Sequence, residues 1–195
     1  IKGKLIRIHF IKPNSNWMGT MLHEYGHAVY DKYIDRNLPW VLRNPAHIFT
    51  TEAIAMMFGR LNQNAQWMQD MMHINNNEKE KIKESTQKTL KLQQLVFSRW
   101  AQVMYRFEKS MYDNPEQDLN KLWWDLVEKY QMIKRPADRN KPDWASKIHI
   151  ATSPCYYHNY QLGELLASQL NFYICKNILK TDDINNQSFV GKKEV

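Results

Sequence analysis

Apolar residues recur three and four positions apart along most of this chain, and short segments rich in proline and asparagine separate the runs. That spacing places apolar side chains on one face of an α-helix. It predicts a first helix ending at about residue 34, a second from about residue 50, and others over 78–111, 119–132 and about 156–179. The predicted fold class is therefore mainly α.

A short β-strand segment is predicted near the N-terminus. Residues 4–11 alternate partly between apolar and polar side chains and include several β-branched ones. Pro13 ends this segment, and the asparagines that follow offer N-caps for the first helix.

The chain has 195 residues and a formal net charge of +7, a balance that permits anionic partners. Its basic residues alternate with acidic ones, as in 78–84, which is typical of the solvated face of a helix. We therefore expect no nucleic-acid partner. No run of about 18 apolar residues occurs, so we also expect no membrane segment in this chain. The sequence opens without Met and in mid-pattern, and we expect it to be part of a longer protein.

The pentapeptide His23-Glu24-Tyr25-Gly26-His27 has the spacing of a zinc-binding motif. On a helix, residues four apart are separated by about 40° around the axis and about 6 Å along it. The imidazoles of His23 and His27 therefore point to the same side. Glu24 lies beside them but off the ligand axis, where it would act as a general base on water.

Two ligands alone leave open an ordinary amphipathic helix with packed or solvated histidines, because catalytic zinc requires three protein ligands and one open position. Glu52 lies 52 − 27 = 25 residues after His27, in the second predicted helix. Pro39, Asn44 and Pro45 suit a turn between the two helices. Glu52 is therefore the predicted third ligand.

A second group of polar residues follows a predicted loop late in the chain: Lys147, His149, Tyr157 and Tyr160. His and Tyr can donate hydrogen bonds to an oxyanion, and Lys can bind a substrate carboxylate. Taken alone, tyrosine-rich stretches are more often packing or surface.

The order of these motifs resembles that of one family. The chain shows, in sequence, His23-Glu24-x-x-His27, Glu52, the pair Trp123-Trp124, Lys147-x-His149 and Tyr157-x-x-Tyr160. It resembles the catalytic half of the angiotensin-converting-enzyme family of zinc peptidyl dipeptidases, and the resemblance covers nearly the whole chain. This implies a helical gluzincin metallopeptidase fragment with a peptide substrate and zinc as cofactor. It also favours an extracytoplasmic location, periplasmic or secreted.

The resemblance implies a role for each of eight residues. The roles are zinc ligation by His23, His27 and Glu52; general base and then acid by Glu24; stabilisation of the tetrahedral intermediate by His149 and Tyr160; and binding of the substrate's C-terminal carboxylate by Lys147 and Tyr157. A carboxylate site favours release of C-terminal dipeptides over cleavage of internal bonds. Within one larger catalytic domain, the resemblance implies zinc-binding helices over 1–62, a helical scaffold over 63–145, and a transition-state and carboxylate-binding segment over 146–195.

Two other functions stay open. The thimet-oligopeptidase family shares the zinc motif and the late tyrosines, which would make this an oligopeptidase that cleaves internal bonds of short peptides. An inactive helical zinc-binding or interaction module is the third hypothesis, and the presence of Glu24, His149 and Tyr160 argues against it.

The chain departs from the family pattern at several positions. Asn159 and Val127 stand where vertebrate members have chloride-binding arginines, so we expect no chloride activation. Met56 replaces the acid that orients a zinc-binding histidine, so some other group must orient His23 or zinc affinity is reduced. Cys175 matches a family cysteine without a partner shortly after it, and whether it pairs with Cys155 stays open.

Overall fold

The computed structural model describes residues 13–195, and every regular element in that range is helical. The seven α-helices are α1 (Ser15–Tyr33), α2 (Ile48–Gly59), α3 (Ala65–Met72), α4 (Asn76–Asp113), α5 (Leu119–Gln131), α6 (Ile148–Thr152) and α7 (His158–Tyr173). Short 3₁₀ segments occur at Trp40–Leu42, Arg60–Gln63 and Asp143–Ser146, and a π-helical turn at Ile174–Ile178 extends α7.

The fold class needs one correction. A mainly α fold with a short β-strand segment is wrong for the described part of the chain, which contains helices and no strand. Residues 4–11, where the strand is predicted, lie outside the described residues. Partial alternation over eight residues is a weak signal, and residues 13–195 contain no strand that could pair with such a segment.

Short polar side chains define where the helices begin. Asn14 caps α1 by accepting a hydrogen bond from the Trp17 N–H at 3.0 Å. Asn75 and Glu78 form a reciprocal capping box before α4, with distances of 3.0 and 2.9 Å. Such caps satisfy backbone N–H groups that have no partner within the helix.

The chain divides into two compact units, which are described separately. The first contains the described residues up to Lys91 together with Leu162–Val195. Its buried apolar side chains are mostly small, which allows close helix packing: Leu22, Ala53, Ala55, Ala65, Ala167 and Cys175. Arg60 links the segment after α2 to α7, since its guanidinium bonds the Glu164 carbonyl at 2.9 Å and pairs with the Glu164 carboxylate.

The second unit, Leu92–Gln161, has a larger aromatic and aliphatic core. Its buried cluster is Val103, Met104, Phe107, Trp123, Val127 and Ile150. A fully buried Phe contributes roughly 1.5–3 kcal/mol relative to exposure. The helical spacing of apolar residues such as Leu92, Leu95, Val96 and Trp100 predicts an apolar stripe on α4. This stripe is only partly buried, because the first three of these side chains are exposed.

Buried Glu108 holds the segment that precedes α7 within the second unit. Its carboxylate accepts hydrogen bonds from the Cys155 backbone N–H at 2.6 Å and from the Tyr112 hydroxyl at 3.0 Å. Cys155 has a positive φ of 56°, in the left-handed region that non-glycine residues adopt infrequently. Both cysteines are free thiols, Cys155 exposed and Cys175 buried. No helix among residues 13–195 is long and apolar enough to cross a membrane.

Candidate functional site

Helices α1 and α2 pack with their backbones in direct contact. A Cβ added to Gly26 would lie 2.6 Å from the Ala55 Cα, and one added to Gly59 would lie 3.5 Å from the His23 Cβ. The absence of a side chain at Gly26 allows the close approach, since real Cβ atoms essentially never come within 3.0 Å of such neighbours, whereas the 3.5 Å at Gly59 is an ordinary contact. The crossing brings the histidines of α1 next to the middle of α2.

The three predicted metal ligands meet at this crossing. Glu52 Oε2 lies 3.4 Å from His23 Nε2 and 3.7 Å from His27 Nε2. The ring centroids of the two histidines are 4.9 Å apart with the rings nearly perpendicular. One ligand atom from each residue lies within 4.8 Å of the other two, so the group could hold a metal ion.

Glu52 is a buried acid, with 2% of its surface exposed. Helix α7 packs directly on its backbone, because a Cβ added to Gly163 would lie 2.9 Å from the Glu52 Cβ. A buried carboxylate is costly unless it is paired or ligates a metal. The imidazoles of His23 and His27 are its neighbours.

His27 is oriented by a residue that the motif does not contain. Its Nδ1 lies 2.8 Å from the Thr51 Oγ1, while its Nε2 faces Glu52. Burial lowers the pKa of His27, although the Glu52 carboxylate opposes this by raising it. A neutral imidazole is the form that ligates metals.

Glu24 occupies an exposed position on α1, immediately after His23. It follows the candidate ligand His23 by one residue, so its side chain leaves the helix about 100° away from the imidazole. This position is open to water and substrate, as a general base requires.

The late polar residues lie in the second unit and contact one another there. His149 is in α6 and Tyr160 is in the first turn of α7, and the His149 Nε2 lies 3.3 Å from the Tyr160 hydroxyl. Their rings meet edge to face, with centroids 5.7 Å apart. Both side chains are partly exposed and can donate hydrogen bonds.

Lys147 and Tyr157 share a neighbour that the sequence assigns only to an apolar stripe. The Trp100 indole N–H donates a hydrogen bond to the Tyr157 hydroxyl at 2.6 Å. The Lys147 Nζ lies 4.7 Å from the centroid of the Trp100 ring. Burial raises the pKa of Tyr157, and the Trp100 hydrogen bond partly offsets this. The phenol is therefore neutral and able to donate.

The positions that depart from the family pattern carry no positive charge. Val127 is buried in the apolar core of the second unit, and Asn159 is also buried, with 2% exposed. Met56 lies one helical turn after Glu52 on α2. Thr51, which contacts His27, supplies an orienting contact that sequence reasoning missed.

A model of the angiotensin-converting-enzyme family, peptidase family M2, matches residues 3–195. The chain belongs to this peptidase family. No curated protein and no solved structure matches it. Membership in the angiotensin-converting-enzyme family makes the chain a peptidase by descent, and the His23–His27–Glu52 group is its candidate metal centre.

Thr51 and Trp100 are the two candidate functional residues that the sequence did not identify. Thr51 bonds a residue 24 positions away, and Trp100 bonds one 57 positions away. Neither partnership has a local sequence signal. Only the tertiary packing of α2 on α1, and of α4 near the start of α7, reveals them.

Proposed function

We propose that this protein is a zinc metallopeptidase that releases C-terminal dipeptides from short peptides. The observation that carries the proposal is the convergence of His23, His27 and Glu52 at one point of a chain from a peptidase family. A convergence of two imidazoles and one carboxylate is a donor set of catalytic zinc sites.

The spacing of the donor atoms supports zinc. Ligand atoms about 2.0–2.1 Å from zinc in a tetrahedral arrangement lie about 3.3 Å from one another. The two distances from Glu52 Oε2 to the histidine Nε2 atoms are 3.4 and 3.7 Å. Three protein ligands leave a fourth position for water or substrate, as in catalytic sites.

Bound zinc would supply a Lewis acid, which acidifies water and polarises a peptide carbonyl. In this proposal Glu24 removes a proton from the attacking water and later passes it to the leaving amine. A base beside a ligand pair is placed for both transfers, and each contributes typically 10²–10⁴-fold to the rate.

His149 and Tyr160 are assigned to stabilise the tetrahedral intermediate. Their mutual contact of 3.3 Å holds the two side chains next to each other, and the proton that is not shared between them is available for an oxyanion. Both side chains are partly exposed, so a peptide can reach them.

Lys147 and Tyr157 are assigned to bind the substrate's C-terminal carboxylate. An ammonium and a neutral hydroxyl are both donors, and together they match the two oxygens of a carboxylate. Binding at the peptide end would limit cleavage to bonds near that end, which favours dipeptide release.

The test compares hydrolysis of an N-acylated tripeptide with that of the same peptide amidated at its C-terminus, using protein incubated with zinc. We expect the free acid to be cleaved to a dipeptide and the amide to be a poor substrate. Glu24→Gln should abolish both activities while zinc stays bound. Equal cleavage of acid and amide would indicate the oligopeptidase mode, and no cleavage of either would refute the proposal.

A further inference from the structure

Trp100 contacts both residues that are proposed to bind the substrate carboxylate. We propose that Trp100 is a positioning residue that sets the preference for peptides with a free C-terminal carboxylate, by holding the Tyr157 hydroxyl and the Lys147 ammonium around one indole ring. The inference rests on the proposed function, because that function assigns carboxylate binding to Lys147 and Tyr157.

The hydrogen bond from Trp100 determines what the Tyr157 hydroxyl can do. A phenol has one O–H proton and an oxygen that accepts. The Trp100 Nε1–H donates to that oxygen at 2.6 Å, so the phenol's own proton is left to point elsewhere. Burial raises the pKa of Tyr157, which keeps that proton in place. The hydroxyl is therefore set up as a donor to an external acceptor such as a carboxylate.

The face of the same indole holds the positive charge. The Lys147 Nζ lies 4.7 Å from the ring centroid, within the distance at which a cation is attracted to an indole face. This contact limits the freedom of a flexible side chain without neutralising it, so the ammonium can still bind an anion. Tyr157 occupies the edge of the indole and Lys147 its face.

Neighbouring aromatic side chains fix the indole itself. Trp100 meets buried Trp123 edge to face, with ring centroids 5.7 Å apart, and it meets Tyr157 in the same way at 6.3 Å. Edge-to-face pairs of this kind are favourable and directional. One rigid side chain thus sets the positions of a charged donor and a neutral donor together.

The experiment measures binding rather than turnover. In zinc-loaded Glu24→Gln protein, the dissociation constants of an N-acylated tripeptide acid and of its amide are compared by calorimetry. We expect the Glu24→Gln protein, which is the parent in this comparison, to bind the tripeptide acid more tightly than the amide. Trp100→Phe keeps an aromatic ring and removes the N–H, and it should weaken acid binding about fivefold while amide binding is unchanged.

Trp144→Phe is the matched control. Trp144 packs on the same core, and its indole N–H also donates a hydrogen bond, but to Asn120 at 3.1 Å. This variant loses an equivalent bond from an equivalent residue, so it should retain the full acid preference. Circular dichroism and melting temperature report whether each variant folds.

Tyr157→Phe tests whether Trp100 acts through the Tyr157 hydroxyl, and this variant can be measured even if Trp100→Phe does not fold. It should reduce the acid preference by itself. If Trp100 acts through the Tyr157 hydroxyl, adding Trp100→Phe to Tyr157→Phe should cause no further loss.

Three results would overturn the inference: an undiminished acid preference in folded Trp100→Phe, the same loss in Trp144→Phe, or no acid preference in the parent. Failure of the proposed function is seen separately. If the protein with intact Glu24 binds the acid selectively but cleaves no peptide, the peptidase proposal is refuted, and a loss of that selectivity in Trp100→Phe still supports the role of Trp100.

Discussion

His27 uses its two ring nitrogens for different purposes. When the ring proton is on Nδ1 and is donated to the Thr51 Oγ1 at 2.8 Å, the Nε2 lone pair faces Glu52 and is left for a metal. Outer partners of this kind fix the tautomer and the ring orientation of a ligand. Sequence motifs identify the candidate ligands but not these partners. Met56 indicates that the usual orienting acid for His23 is missing. The structure shows an orienting contact for the other histidine, His27, from Thr51.

Thr51→Val should weaken zinc binding by roughly 10–100-fold, because it removes the hydroxyl that orients His27 and keeps the shape of the side chain. Competition with a chromogenic chelator measures this affinity without requiring activity. Thr51→Ser should restore most of it. Thr50→Val is the control, since the Thr50 hydroxyl contacts the His47 carbonyl and the Tyr30 hydroxyl rather than a ligand. Equal zinc affinity in Thr51→Val and the parent would contradict the orienting role.

Tyr160→Phe should lower kcat about 100-fold with little change in zinc affinity. It removes one donor proposed for the oxyanion, and losing such a donor costs about 3 kcal/mol of barrier. Steady-state kinetics and zinc titration together check the two parts. An unchanged kcat would exclude Tyr160 from transition-state stabilisation.

Chloride should not activate the enzyme. Val127 is packed among Phe107 and Trp123 in an apolar core, and Asn159 offers a neutral carboxamide, so neither position provides a cation for the anion. The assay compares chloride with a non-coordinating anion at constant ionic strength. A large rate increase in chloride would show that other residues form an anion site.

Glycine contacts decide how the helices meet. Gly26 lets α1 touch α2 at Ala55, and Gly163 lets α7 touch the backbone at Glu52. The sequence motif presents Gly26 only as the variable residue between Tyr25 and His27, and its packing role follows from the tertiary crossing.

Gly26→Ala should destabilise the fold by about 1–3 kcal/mol, because the added methyl group would press on the α2 backbone. The melting temperature should fall and zinc affinity should fall with it, since α1 and α2 carry all three proposed ligands. Gly59→Ala is the matched control at the same crossing, where a Cβ would be in ordinary contact at 3.5 Å. If the two substitutions lowered the melting temperature equally, the close contact between Gly26 and the α2 backbone would be contradicted.

The positions of the helices can be predicted from local sequence signals, but the burial of individual side chains cannot. The spacing of apolar residues and the N-cap asparagines locate α1, α2, α4 and α5 within a few residues. Periodicity over α4 nevertheless places Leu92 and Leu95 in the core, and both are exposed. Ile54 and Met57 on α2 are only partly buried, whereas Ala53 and Ala55 are fully buried. Helix periodicity shows that a helix has an apolar face but not which part of that face is covered.

At the scale of the whole molecule, the candidate functional residues fall in both compact units. The first unit contains His23, His27 and Glu52, and the second contains His149 and Tyr160. The ordered motifs predict both groups, because each has a characteristic spacing. Contacts such as that from Trp100 to Tyr157 join residues far apart in sequence and could not be predicted from spacing. The division into segments 1–62, 63–145 and 146–195 stays a prediction.

The proposed zinc site of His23, His27 and Glu52 is the feature on which the other proposals depend. Its most direct test is the metal content of the purified protein, measured by mass spectrometry after zinc incubation and removal of excess metal, for the parent and for Glu52→Ala. We expect one zinc per chain in the parent and loss of that zinc in the variant, with helical content preserved. A parent that binds no zinc, or a folded Glu52→Ala variant that retains it with equal affinity, would contradict the proposed zinc site.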